Sequence, residues 1–385
     1  MQAMHGSARP VRSRGRLIGC SMALVLALGA LFASTASAKG PATQSYLALG
    51  DSLAFGYSQQ LFNENEKTGE PASAFENGYT NAYLKFANKQ NPTPYQLINN
   101  GCPGETTDSF IGNGPLGAAL EASPFAAHGE APCAYHYTER APGFFFPLHH
   151  EYGGSKSQLE NALETIAVQS FGPTPVTKVS FNIGANDELR QVKACETEVG
   201  TEYAKEGKSK YGANPTEAVE NCLKAHVKEL IEHIVKNTAA SVYTLRHGSE
   251  FGGVDYTGKI VFQAGYDPYG NLVPNGEPQI ENGKEQKELL PGSVPLAKLI
   301  NAEVANAVNA YGGAETCIAN PLPRFNPISE KSGIKILEKE EFRLQTWTNM
   351  ANTTEFEGKK NGPDIHPTPT GYKQLATIMR KACGV

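Results

Sequence analysis

Three short apolar runs in this chain, Ser45 to Leu49, Tyr95 to Ile98 and Val176 to Ile183, each empty straight into a glycine-containing loop. The loops are Gly50-Asp51-Ser52-Leu53, Asn99-Asn100-Gly101-Cys102-Pro103-Gly104 and Gly184-Ala185-Asn186-Asp187. Segments at helical spacing lie between and beyond them: Tyr79 to Asn88, 155 to 169, Pro215 to Lys236, Leu296 to Tyr311 and Thr370 to Arg380. Two further short strands fit at Ile260 to Gln263 and Thr316 to Ala319. This βαβ alternation predicts a mostly parallel sheet of about five strands with helices on both faces, a three-layer α/β/α fold. Ligands bind such a sheet at the carboxyl ends of its strands, which is where all three glycine loops fall.

Two stretches exceed a minimal alternating domain and read as insertions: one near 121–154, rich in Pro, His and aromatics, and one near 247–291, dense in Gly, Pro and Asn. Three consecutive aromatics in the first, Phe144, Phe145 and Phe146, are expected to cover a cleft or to dock on apolar chains. With 385 residues, 40% apolar and 19% charged, the chain has ample material for a core. A net charge of -5 and the lack of a basic stripe argue against nucleic acid as a partner and favour a small neutral substrate.

Residues 1–38 read as a secretory signal. Arg9, Arg12, Arg14 and Arg16 precede an apolar run from Leu17 to Ala33, and Ala36-Ser37-Ala38 supplies the small residues of a cleavage site. The run is short for a spanning helix, so cleavage near Ala38 is expected, leaving no stable membrane anchor. Leu17-Ile18-Gly19-Cys20 opens the run instead of closing it, which disfavours a lipid attachment site. Removal of the signal takes away four arginines and no acids, so the net charge falls from -5 to -9.

Loss of Cys20 would leave six cysteines, an even set suited to an oxidising compartment. Their spacing falls into neighbouring couples, which favours Cys102 with Cys133, Cys195 with Cys222 and Cys317 with Cys383. No C-x-x-C pair supports a cysteine metal site. His149-His150-Glu151 reads as a solvated loop, and His226 and His233 as surface or core histidines, so no metal and no cofactor is expected.

Four segments, taken together, carry chemistry. Gly50-Asp51-Ser52-Leu53 resembles the opening block of the GDSL, or SGNH, hydrolases, a family of esterases and lipases with a flavodoxin-like fold. Cys102-Pro103-Gly104-Glu105-Thr106, Gly184-Ala185-Asn186-Asp187 and His366-Pro367-Thr368 resemble its second, third and last blocks, in the same order. The resemblance spans nearly the whole chain after Lys39 outside the insertions. It implies a nucleophile at Ser52, a general base at His366, and an oxyanion hole from the N–H groups of Ser52 and Gly104 and the side-chain amide of Asn186. It also implies an ester or lipid substrate, and says nothing of oligomeric state or acyl length. The nucleophile elbow G-x-S-x-G is absent, which separates the chain from ordinary α/β-hydrolases.

The residue types make sense physically. A serine hydroxyl is a weak nucleophile and needs a base within hydrogen-bond reach, and a histidine titrates in the right range. Taken singly, Ser52 could be a helix cap and Asn186-Asp187 an ordinary turn. One departure concerns what orients His366. The family's acidic residue stands three positions before the histidine, where this chain has Pro363, while Asp364 is two before. Asp364 is favoured because a carboxylate stabilises an imidazolium better than a neutral carbonyl, with the Pro363 carbonyl as the alternative. The rival to an enzyme is a catalytically silent carbohydrate- or surface-binding protein on the same fold.

Overall fold

The computed structural model describes residues 44–68, 72–91, 93–133, 156–269, 279–281, 284–286, 293–326 and 343–384. The chain divides after Ala42; the unit Thr43–Val385 holds every element below, and the expected signal lies outside the described residues. Five parallel strands form the sheet: β1 (Gln44–Gly50), β2 (Tyr95–Asn99), β3 (Val176–Asn182), β4 (Lys259–Gln263) and β5 (Thr316–Ala319), in the spatial order β2-β1-β3-β4-β5. That order reverses direction between β1 and β3, the switch point at which an open α/β sheet forms its ligand crevice. Gly50 lies opposite Asn182 in the β1–β3 register, so the loops after these strands emerge side by side.

Strand alternation sends β1 side chains to two separate cores. Leu47 and Leu49 join Val179, Phe181 and Phe262 beneath the helices α3 (Thr107–Ile111), α4 (Gln158–Ser170), α6 (Pro215–Arg246) and α7 (Ser293–Gly312). Tyr46 and Ala48 join Val261 on the other face, under α2 (Tyr79–Gln90) and α8 (Pro369–Cys383). The fold is thus the three-layer α/β/α arrangement expected. Two more helices are α1 (Ser52–Phe55) and α5 (Ala185–Glu206), and a two-stranded antiparallel ribbon pairs β6 (Thr348–Asn349) with β7 (Asp364–Pro367). Among the described residues no helix is long and apolar enough to cross a membrane.

Two helices depart from the sequence reading. The segment from Ala185 continues as a helix of 22 residues where only a turn was expected. Its buried side chains are few, Asp187, Cys195 and Val199, so it lacks a long apolar stripe, and Cys195–Cys222 holds it to α6. The α6 helix runs to Arg246 and not to Lys236, because Asn237 to Leu245 is buried nearly all round and loses the amphipathic period. The stretch 247–291, read as an insertion, contains the sheet strand β4 at Lys259–Gln263, where the sequence places a strand at Ile260 to Gln263.

The three cysteine couples are disulfides, with Cα–Cα distances of 6.4, 5.7 and 5.7 Å for Cys102–Cys133, Cys195–Cys222 and Cys317–Cys383. The last ties β5 to the end of α8. His149-His150-Glu151 and the Phe144–Phe146 run lie outside the described residues.

Candidate active site

The end of β1 has no room for a side chain. A Cβ on Gly50, whose φ is +132°, would lie 2.3 Å from the Asn182 carbonyl oxygen. The side chain of Gln158 clamps this turn: its Oε1 accepts from the Gly50 N–H at 2.5 Å and its Nε2 donates to the Gly50 carbonyl at 3.0 Å. Asp51, not Ser52, caps α1, accepting from the Leu53 N–H at 2.8 Å and from Asn182 Nδ2 at 2.6 Å. Burial raises the Asp51 pKa, against the pull of those hydrogen bonds and of His366. With the cap supplied by its neighbour, Ser52 keeps its hydroxyl for something else.

That partner is His366, whose Nε2 is 2.8 Å from Ser52 Oγ. On the other side of the ring, Nδ1 is 2.5 Å from Asp364 Oδ1. The second carboxylate oxygen accepts from the Gln59 N–H at 2.8 Å, fixing the carboxylate from behind. Both residues come from β7, which is held by Asn349 Nδ2 donating to the His366 carbonyl at 3.1 Å and by Tyr266 donating to the Ile365 carbonyl at 2.5 Å. The Tyr57 ring meets the imidazole edge-to-face at 4.7 Å. Asp364 and Ser52 are buried, and His366 is half-buried.

The loop of Gly104 is fixed at several points beside this pair. The Cys102 N–H donates to the Gly50 carbonyl at 3.0 Å, Cys102 is bonded to Cys133, and a Cβ on Gly101 would meet the Phe55 nitrogen at 2.4 Å. Glu105 is buried and accepts from Gln158 Nε2 at 2.7 Å and Ser109 Oγ at 2.6 Å. Gly104 itself has a φ of +86°, in the left-handed region that suits glycine. Asn186 reaches the same loop, donating through Nδ2 to the Glu105 carbonyl at 2.9 Å, and its amide retains a second hydrogen. The Ser52 and Gly104 N–H groups meet no acceptor among the described residues.

No family model and no curated protein matches this chain. Among solved structures it is similar to a gut microbial diltiazem-metabolizing enzyme at 14% identity and a TM-score of 0.38, over 90% of this chain and 48% of that one. The chain therefore spans about half the length of that enzyme. It is also similar to a protein of Agrobacterium tumefaciens str. C58 described as an arylesterase, at 10% identity and a TM-score of 0.32, over 87% of this chain and 95% of that one. Both likenesses are distant, and the chemistry of the site rests on its own geometry.

An apolar pocket of about 270 Å³ opens beside the pair, reaching Asp51, Leu53 and Ile365, the chain neighbours of Ser52 and His366. Its walls come from α5, α6, α7 and the segment after β4, with Leu189, Val227, Leu230 and Leu296 among them. Small-molecule pockets of about 300 to 1,000 Å³ are usual, so this one suits a compact apolar group. Glu188 stands in its wall. Desolvation lifts the Glu188 pKa to about 8, with Asp267 and Asp187 adding to the shift, although the residue as a whole is half-buried. Neither the pocket nor the clamp of Gln158 and Gln59 had a sequence signal, because their residues are scattered and carry no motif.

Proposed function

We propose that this chain is a serine ester hydrolase of the SGNH type, secreted after removal of residues 1–38, that cleaves esters of apolar, medium-length acyl groups. The contact between His366 Nε2 and Ser52 Oγ, backed by Asp364 on Nδ1, carries the reading. In the first step Ser52 Oγ attacks the ester carbonyl carbon while its proton passes to Nε2. Negative charge collects on the carbonyl oxygen, where the N–H groups of Ser52 and Gly104 and the Asn186 amide donate, each worth roughly 3 kcal/mol. The imidazolium returns its proton to the departing alcohol, leaving an acyl-enzyme on Ser52. Water, deprotonated by the same imidazole, then releases the acid. The three disulfides fit an oxidising compartment.

A fluorophosphonate probe tests the enzyme against a silent binder. Wild type is expected to be labelled and Ser52→Ala not; a folded, unlabelled wild type would sink the proposal. The pocket sets a second expectation. At about 0.8 kcal/mol per buried CH2, kcat/KM for p-nitrophenyl esters should climb about fourfold per carbon from acetate to octanoate. A flat series would remove the pocket from acyl binding.

The pH dependence of that preference follows from Glu188. A carboxyl whose pKa is raised stays neutral at pH 7 and gains its charge only as pH passes about 8. Charge in an apolar wall opposes an acyl chain, so KM for octanoate should rise above that pH in wild type and stay level in Glu188→Gln. Acetate esters serve as the control, and an equal rise for both enzymes would dismiss Glu188.

A further inference from the structure

Behind the loop of Gly104, four side chains from four segments converge. Asp108 is in the first turn of α3, Asp187 in the first turn of α5, His233 in the middle of α6, and His128 in the loop before Cys133. His233 Nε2 is 2.8 Å and His128 Nδ1 3.2 Å from the same atom, Asp108 Oδ1. Ligand atoms of Asp108, Asp187 and His233 all lie within 4.8 Å of one another. Asn237 holds the framework: its Nδ2 donates to Asp108 Oδ1 at 2.8 Å and to the His128 carbonyl at 3.0 Å, and its Oδ1 accepts from the His128 N–H at 3.0 Å.

We propose that Asp108, Asp187 and His233, with His128 at the rim, form a binding site for a divalent transition-metal ion, zinc being the best fit. One imidazole nitrogen and two carboxylate oxygens, with water in the fourth position, are a three-ligand tetrahedral zinc set, and the imidazole disfavours calcium and magnesium. Zinc bonds of about 2.0 to 2.2 Å put tetrahedral donors about 3.3 Å apart, so His233 and Asp108, at 2.8 Å, would open by about half an ångström around the ion. Thr107 steers Asp187 through Oγ1 at 2.6 Å and N–H at 3.0 Å. Each neutral imidazole frees its lone pair by carrying its proton on the other ring nitrogen. Two carboxylates side by side repel, and a dication between them removes that repulsion.

Access is graded in a way that suits an exchangeable ion. The Asp108 side chain is 16% exposed, that of His233 35% and that of His128 62%. The site departs from the expectation of no metal, since each residue reads alone as ordinary and only the packing of α3, α5 and α6 brings them together. It lies next in the chain to both oxyanion segments: Asp187 follows Asn186, and Asp108 is four residues from Gly104. A bound ion would pin those segments to α6.

Isothermal titration of the chelator-treated, disulfide-intact protein with zinc alone tests this, with cobalt absorption as a report on coordination. One equivalent should bind, cobalt should show the intense visible bands of a four-coordinate ion, and Tm should rise with zinc. His233→Gln should weaken binding by about 100-fold or more, with circular dichroism unchanged, and His128→Gln by less. Zinc affinity unchanged in a folded His233→Gln variant would overturn the site and move the ion elsewhere, for example to His149-His150. Failure of wild type to bind zinc, or equal binding of calcium, would also overturn it.

Discussion

Replacing His366 with alanine should lower kcat for octanoate hydrolysis by about 10⁶-fold while leaving KM within a small factor. The size follows from what Nε2 does at 2.8 Å from Ser52 Oγ. Without it the hydroxyl must attack at its own high pKa, and the alcohol leaves without a proton. Those two transfers use one group, so both steps fail together, and the residual rate is what the oxyanion donors provide. On the proposed binding mode the pocket holds the acyl group away from His366, so binding is expected to be spared. Stopped-flow detection of nitrophenolate should show an initial burst in wild type if deacylation limits the rate, and none in the variant. A fall smaller than about 100-fold in a folded variant, below the usual range for a removed general base, would place the base elsewhere.

Asp364→Asn is the next largest effect, with kcat expected to fall by about 10³ to 10⁴ and KM little changed. The carboxylate receives donors on both oxygens, the His366 ring at 2.5 Å and the Gln59 N–H at 2.8 Å. Asparagine has only one oxygen to offer these two donors. If that oxygen stays with Gln59, an NH2 faces Nδ1, and the imidazole must carry its proton on Nε2, where it can no longer accept from serine. If the amide turns over, Gln59 is left facing a donor and the loop is disturbed. A loss under about tenfold, with the fold intact, would give the orienting role to a backbone acceptor such as the Pro363 carbonyl.

Much of this molecule was legible from local pattern, and the failures have a common cause. The five sheet strands and the helices at 79–90, 158–170, 293–312 and 369–383 announce themselves because each buries one face or one short run. The α5 helix does not, since a disulfide replaces most of its apolar stripe, and the second half of α6 is too deeply buried to show a period. At the site, Ser52, Gly104, Asn186, Asp364 and His366 stood out as motif residues or near neighbours of one. The pocket and the histidine–aspartate cluster did not, because they are properties of how α5, α6 and α7 meet and not of any one segment. The bounds of the 247–291 stretch were drawn too wide: they enclose β4, which the sequence itself marks as a strand at Ile260 to Gln263.

The serine and its base are separated by 314 positions in the chain, and Gln59 and Asp364 by 305. A nascent polypeptide therefore carries the hydroxyl long before it carries anything to activate it. Since a ribosome adds about 5 to 20 residues per second, the interval is tens of seconds. On the proposed chemistry, the emerging chain lacks its base throughout that interval. Local folding of the first strands cannot shorten this delay, because closure depends on a segment made at the end and on ordering one of the longest loops in the chain. On the proposed chemistry, latency follows from the order of the sequence itself.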